Sequence, residues 1–302
     1  MTKAPSNLEE LVAPLTKQAF LSLLHQRNLA HSRGSNPDRF KPLLDWQALL
    51  GQFERGEYPR GLADVRVVKE STNIRPEHWL VKNKADNTNR VNIAKVEDFL
   101  ADGYSLVVTP IQSYVPPLTV LCDNIQAELS EKIKVGVVVT TGTSQAAFKL
   151  HFDPEDLIIL QVEGIKRWRI YGPVVPNPVI GMPKPLPPAE TAPLFDEVLQ
   201  PGDLLFLPAG YWHHCENGPG RSLHLGIFCI APTFLHVLKS LFSQLILDEM
   251  FRIPLTRFED AAKLAELEVN AKSRLIEKIQ QLDVTEFLSD SDKEKISAAI
   301  NS

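Results

Sequence analysis

Cysteine is scarce in this chain: 302 residues hold three, Cys122, Cys215 and Cys229, an odd number with no C-x-x-C spacing. That argues against a disulfide framework and against a thiolate zinc knuckle, and leaves the three as small buried hydrophobes. Long apolar runs are missing too. No stretch approaches the ~18 apolar residues of a membrane span, and the opening MTKAPSNLEELVAPLTKQ lacks the apolar centre of a signal peptide, so a cytoplasmic protein with no membrane association is expected. Positive charge is not in excess. Lys and Arg total 32 against 37 Asp and Glu, a net charge of −5, so no global basic field exists to draw the chain onto nucleic acid, and direct nucleic-acid binding is not expected. No internal repeat period is visible.

What is present is an ordinary globular composition, 44% hydrophobic and 23% charged, in a chain long enough for one sizeable core with helical additions. Three segments differ in pattern. Residues 1–94 form a helical and irregular lead-in, with helical periodicity at Ala19 to Leu24 and Leu43 to Phe53 around a polar stretch from Asn28 to Arg39. Residues 95–230 open with a short helix at Val96 to Leu100, the strand YSLVVTP and a helix at Leu118 to Ile133. They then turn to short β-rich runs: VGVVVT, FKLHFD, LIILQV, KRWRIYG, DLLFLP and SLHLGIFCI. A proline-rich excursion, Pro173 to Pro193, reads as a long extended loop. Many short strands punctuated by Gly and Pro predict a mainly β core of jelly-roll type with helices before and after it.

Residues 231–302 are helical. Phe234, Leu235, Leu238, Leu241, Phe242 and Leu245 fall on one helix face; FEDAAKLAELEVNAKSRLIEKIQQL follows as a longer amphipathic helix and SDSDKEKISAAI as a short one. The apolar face either packs on the sheet or forms a dimerisation hairpin.

The chemistry concentrates in two stretches. His151-Phe152-Asp153 lies where a strand is expected, and strand residues two apart project to the same side, so the two side chains converge. PGDLLFLPAGYWHH places His213 just past a Pro208-Ala209-Gly210 turn, able to close over the same interior. Two imidazoles and one carboxylate on one face of an octahedron leave three positions open, the arrangement of non-haem Fe(II) oxygenases. Glu163-Gly164 reads as a hairpin turn that should return KRWRIYG beside the HxD strand. Lys166 shares parity with Trp168 and Ile170, and a cation directed into a barrel needs an anionic partner.

HFDPEDLIILQVEGIKRWRIYGP resembles the HxDxxDxxxxQxxGxKxW stretch of JmjC-type cupin oxygenases, and PGDLLFLPAGYWHH resembles their PGDxLxxPxGxxH stretch. TGTSQ, ahead of the first histidine, adds to the likeness, which spans roughly residues 95–230. The resemblance implies a double-stranded β-helix that uses Fe(II), 2-oxoglutarate and O2. It makes His151, Asp153 and His213 the metal ligands and Lys166 the partner of the 2-oxoglutarate C5 carboxylate. His214 competes with His213; the family's spacing from Pro208 and Gly210 selects His213. Ser222 and His224, on one face of SLHLG, are candidates to contact the cosubstrate. Gln161 either orients a ligand or bonds within the barrel, and Asp156 is structural.

Relatives often carry Asn or Tyr on the strand before the first histidine, where VGVVV is apolar. The implied activity is hydroxylation of a C–H bond on a protein or peptide side chain; the apolar face from Phe234 to Leu245 adds the expectation of a homodimer through the C-terminal helices. The alternatives are a small-molecule oxygenase and a non-catalytic metal-binding cupin.

Overall fold

Alternation along the strands builds the core. In the stretch Leu157 to Val162, the side chains of Ile158, Leu160 and Val162 join one buried cluster while Leu157 and Ile159 join another. The same division separates Leu204 and Phe206 from Leu205 and Leu207. Strands buried on both faces lose the polar half of their pattern, which is why VGVVV and LIIL read as continuous apolar runs.

The structure is a computed structural model that describes residues 3–55, 65–83, 87–142, 147–173, 175–182, 192–257, 260–288 and 293. Among these, thirteen strands occur: β1 Ala30–Ser32, β2 Val65–Lys69, β3 Thr72–Asn73, β4 Leu80–Lys82, β5 Asn89–Val91, β6 Ser105–Val108, β7 Lys132–Thr140, β8 Asp156–Glu163, β9 Lys166–Pro173, β10 Phe195–Leu199, β11 Leu204–Leu207, β12 Tyr211–Asn217 and β13 Ser222–Ile230. Seven α-helices accompany them: α1 Leu8–Val12, α2 Lys17–Gln26, α3 Trp46–Arg55, α4 Ile93–Ala101, α5 Pro116–Leu129, α6 Phe234–Leu247 and α7 Ala261–Gln280.

An antiparallel sheet of eight strands runs in the order β1-β11-β8-β13-β7-β6-β2-β3, and a second of three in the order β10-β9-β12. One face of the large sheet packs with α1 to α5 around Leu8, Phe20, Trp46, Leu121 and Val137. Its other face meets the small sheet through Leu157, Ile159, Leu205 and Leu207 against Trp168, Ile170 and Leu199. This is the expected jelly-roll core.

Three local expectations need correction. The helix read at Leu118 to Ile133 stops at Leu129, because Ser130 takes the left-handed conformation at φ 59° and β7 begins at Lys132. Residues 148–153 are not a strand; His151 makes a single antiparallel bridge with His213. Nor does the Glu163-Gly164 turn return KRWRIYG beside the HxD segment: β9 pairs with β10 and β12, and it is β12 that bridges to His151, so the turn carries the chain from one sheet to the other. Gly164 has φ +62°, and a Cβ there would stand 2.0 Å from the Arg221 carbonyl oxygen.

The lead-in is more than a preface. It contributes β1 to one border of the large sheet and β2 and β3 to the other. The described chain divides into two units, residues 1–230 and 231–302. In the second, α6 buries Val237 and Leu241 while Phe234, Leu235, Leu238, Phe242 and Ile246 are exposed. Helix α7 is the long amphipathic helix expected from the sequence, and residues 289–300, read as a short helix, lie outside the described residues except Lys293.

Candidate active site

The two stretches singled out in the sequence meet between the sheets. His151 and His213 exchange both backbone hydrogen bonds, His151 N–H to His213 O at 3.1 Å and His213 N–H to His151 O at 2.7 Å, so their rings lie side by side with centroids 4.3 Å apart. Asp153 is fixed two residues on, its carbonyl accepting the Gly210 N–H at 2.9 Å. The candidate ligand atoms of His151, Asp153 and His213 all lie within 4.8 Å of one another. Thus a bridge of one residue pair achieves what a strand was expected to do.

Both imidazoles are oriented by backbone. Nδ1 of His151 lies 2.8 Å from the Lys149 carbonyl and Nδ1 of His213 lies 3.0 Å from the Tyr211 carbonyl. Each Nδ1–H donates to that oxygen, which leaves Nε2 as the lone-pair nitrogen. Nε2 of His213 stands 3.7 Å from Asp153 Oδ2. Burial, and then the neighbouring His151, push the His213 pKa down to about 4, so the ring is neutral as a metal ligand requires. Two imidazoles and a carboxylate on one patch fit a divalent iron with open positions.

His214 points the other way. Its Nε2 lies 3.2 Å from Arg169 Nη1 and 3.8 Å from Glu216, and its ring stacks with Tyr171 on the outer side of the small sheet. Strand parity separates the neighbours: β12 turns His213 inward and His214 outward.

Deeper between the sheets lies Lys166, only 1% exposed. Its ammonium is 3.4 Å from His224 Nδ1 on the facing sheet, and among the described residues no carboxylate lies within ion-pair distance of it. Burial pushes the Lys166 pKa down; burial, then Lys166 and His213, push His224 well down. His224 is therefore neutral and accepts from Lys166. A buried ammonium whose only side-chain partner among the described residues is an imidazole gains from an anion.

Ser222, also buried, accepts from Gln161 Nε2 at 2.9 Å, and the same amide donates to the Glu163 and Gly164 carbonyls at 2.8 and 3.1 Å. Gln161 thus ties β13 to the turn ahead of Lys166, while its Oε1 is buried without a partner. Trp168 stacks on His213 and meets His224 edge-on, connecting the candidate ligands to the partner of the lysine.

The apolar strand before the first histidine has a geometric reason. Gly136 on β7 and Gly226 on β13 are register partners, and the Phe228 ring lies across them, 3.5 and 3.7 Å from where their Cβ atoms would stand. An aromatic floor replaces polar side chains there.

Two supports complete the site: Asp156, expected to be structural but with no partner named, and Ser71, which was not read from the sequence. The Asp156 carboxylate accepts the Ala209 N–H at 2.7 Å, holding the turn that leads to His213, beside an Arg27 whose Nη2 donates to the Ala209 carbonyl. On the other side, Ser71 donates its N–H to Ala147 O and accepts the Lys149 N–H on its hydroxyl, holding the segment that carries His151. Glu70 and Ser71 both have positive φ, 48° and 66°, in the β2–β3 turn; the polar run KESTN is the only sequence sign of it. In TGTSQ, residues 143–145 lie outside the described residues, as do residue 174 and residues 183–191 of the proline-rich loop.

A family model for the JmjC domain matches residues 112–237, which include all three candidate ligands and Lys166. Over this stretch the chain is similar to JmjC domains. The chain is 27% identical over 224 residues to the bifunctional lysine-specific demethylase and histidyl-hydroxylase NO66 of Drosophila mojavensis, covering 72% of this chain and 24% of that protein. It is 41% identical over 81 residues to ribosomal oxygenase 2 of Rattus norvegicus, covering 26% of this chain and 17% of the relative. The chain therefore spans a quarter or less of the length of these relatives. Among solved structures, the Escherichia coli ribosomal oxygenase YcfD superimposes with a TM-score of 0.53 at 18% identity, over 88% of this chain and 67% of that one. A complex of YcfD with cobalt and 2-oxoglutarate matches equally well, with a TM-score of 0.53 at 17% identity over 87% of this chain and 67% of that one.

Proposed function

We propose that the JmjC domain of this chain is an Fe(II)- and 2-oxoglutarate-dependent oxygenase that hydroxylates a C–H bond on a protein or peptide side chain. The observation that carries this reading is Lys166, a buried ammonium with no carboxylate partner among the described residues, placed between the sheets beside the His151, Asp153 and His213 cluster. A cupin that only bound metal would have no use for it. His151, Asp153 and His213 hold the iron; Lys166 takes the far carboxylate of 2-oxoglutarate. His224 aims the ammonium, and Ser222 with Gln161 fixes the wall behind it. Bound iron supplies the activation of O2, with decarboxylation of 2-oxoglutarate to succinate and insertion of one oxygen atom into the substrate C–H bond. The apolar floor and Trp168 keep water from the reacting groups.

A protein substrate is supported by the relatives, whose names record histidyl-hydroxylase, lysine demethylase and ribosomal oxygenase activities. We also propose that the chain pairs with a second copy through α6 and α7.

Replacing Lys166 tests the reading. Lys166→Ala leaves the cosubstrate carboxylate buried without its partner, a loss of about 3–5 kcal/mol, or a hundredfold and more in 2-oxoglutarate affinity, while iron binding survives. Lys166→Arg retains part of the affinity, because the charge stays but the fork is wider. The measurement is a titration of anaerobic Fe(II) charge-transfer absorbance with 2-oxoglutarate; unchanged affinity in Lys166→Ala refutes the role.

A further inference from the structure

The large sheet carries a second cation on its inner face. Arg66 on β2 pairs with Val107, Val107 with Val138, Val138 with His224, and His224 with Gln161, one residue from each of five neighbouring strands. Directly paired residues project to the same side, so Arg66 shares the face on which His224 meets Lys166. Three strand spacings separate Arg66 from His224, roughly 14 Å, which puts it beyond the cosubstrate pocket. The side chain turns toward the metal ligands through one ring: the guanidinium carbon is 5.7 Å from the Phe148 centroid, and Phe148 in turn lies 5.5 Å from the His151 ring.

Arg66 is half-buried, and among the described residues no carboxylate pairs with it. Burial alone depresses its pKa, with no acidic group offsetting it. The ring face of Phe148 compensates a guanidinium only in part. Elsewhere in the molecule arginines of similar or greater exposure are paired: Arg167 and Arg169 with Asp196, Arg274 with Asp248 and Glu277. Arg27 and Arg39 also lack a carboxylate but donate to backbone carbonyls, whereas Arg66 has no hydrogen-bond acceptor among the described residues, and it lies against Phe148, the ring next to His151.

We propose that Arg66 is a specificity residue that takes a carboxylate of the substrate, an acidic side chain in the peptide whose neighbouring residue is hydroxylated. This deepens, and rests on, the oxygenase reading above. Arg66 suits the task because its planar fork matches a carboxylate in a two-point contact, and the Phe148 ring keeps the fork flat against the route to the iron. Nothing in the cosubstrate requires it, since Lys166 already meets the far carboxylate at the other end of the row. The preference it imposes is for acidic over neutral or basic sequence near the target.

The test uses the full chain loaded anaerobically with Fe(II) and 2-oxoglutarate, probed by fluorescence anisotropy with labelled peptide pools. Each pool is random except for one position held as Glu, Gln or Lys. Wild type should bind Glu pools about tenfold or more tightly than Gln pools at one or two positions. Arg66→Gln should level the pools, and Arg66→Glu should move the preference to Lys, with 2-oxoglutarate affinity unchanged in both. That unchanged affinity shows the variants fold and keeps loss of specificity apart from loss of the site.

Equal binding of Glu and Gln pools by wild type, a Glu preference that persists in Arg66→Glu, or no binding of any pool would overturn the proposal. Arg66-dependent binding of free N-acetylglutamate with no further gain in any pool would overturn the peptide assignment. Wild type failing to bind 2-oxoglutarate at all would instead remove the oxygenase reading, and this proposal with it.

Discussion

At the scale of single residues, one position separates an inward-facing candidate ligand from a surface charge. His213 and His214 are adjacent, yet one is 3% exposed and faces Asp153 while the other joins Arg169 and Glu216 outside. We therefore expect His213→Ala, like His151→Ala and Asp153→Ala, to abolish Fe(II) binding and 2-oxoglutarate turnover, since a site missing one of three ligands is incomplete. His214→Ala should retain both within a few-fold. Equilibrium dialysis against Fe(II) under anaerobic conditions distinguishes the two, and loss of metal in His214→Ala would shift the ligand by one residue. Motif spacing made His213, His151, Asp153 and Lys166 readable in the sequence, because each is local to a short pattern. Ser71, Asp156 acting on Ala209, and Arg66 acting through Phe148 were not, because their partners lie 53 to 82 positions away or carry no chemistry of their own.

At the scale of elements, alternation and turn residues made most strands of the core legible, from β7 to β9, β11 and β13. The shortest strands escaped, β1 and β3 at the borders of the large sheet and β4 and β5 in a two-stranded sheet of their own, since they have two or three residues each and no period can be read from so few. Pairing partners escaped too. Glu163-Gly164 has the composition of a hairpin turn, but whether the chain returns beside its own strand or crosses to a facing sheet depends on contacts with Arg221 and Ser222 that lie far along the sequence. That crossing places Lys166. Gly164→Ala, which combines positive φ with a Cβ 2.0 Å from a carbonyl oxygen, should lose on the order of 2 kcal/mol or more of stability. It should also weaken 2-oxoglutarate binding more than iron binding; urea unfolding and the two titrations measure each. Equal stability to wild type would show that the turn can relax without cost.

At the scale of the whole molecule, two expectations concern stability and assembly. Glu131 sits partly buried at the start of β7 with one oxygen unpartnered, and burial, then Asp156, raise its carboxyl from 4.5 to about 7. A folded state that holds this proton more tightly than the unfolded one is favoured below pH 4.5, and the advantage is lost as pH rises through 7. Stability at pH 8 should therefore be lower than at pH 5.5 by an amount on the order of 2 kcal/mol, and Glu131→Gln should remove that difference in denaturant midpoints. In the C-terminal unit, α6 leaves Phe234 and Phe242 each 62% exposed on one apolar face, more than a solvated helix carries without a partner. Light scattering at micromolar concentration should find a homodimer, and Leu238→Asp with Phe242→Asp should give a monomer that still binds 2-oxoglutarate. A monomeric wild type would dismiss the pairing.

The borders of the eight-stranded sheet have a further consequence. Both come from the lead-in: β1 covers β11 at one end, and β2 with β3 covers β6 at the other. Excising residues 95–230 as a portable module would bare the apolar strands LLFL and SLVV, each with an unsatisfied row of amides and carbonyls, and raw edges of that kind recruit one another into aggregates. The same cut would take away Ser71 and release the segment bearing His151. Inheritance of this fold is thus indivisible: Ser71, which holds the His151 segment, and both borders of the large sheet lie outside residues 95–230, so any shuffling of the fold between proteins has to carry its margins with it.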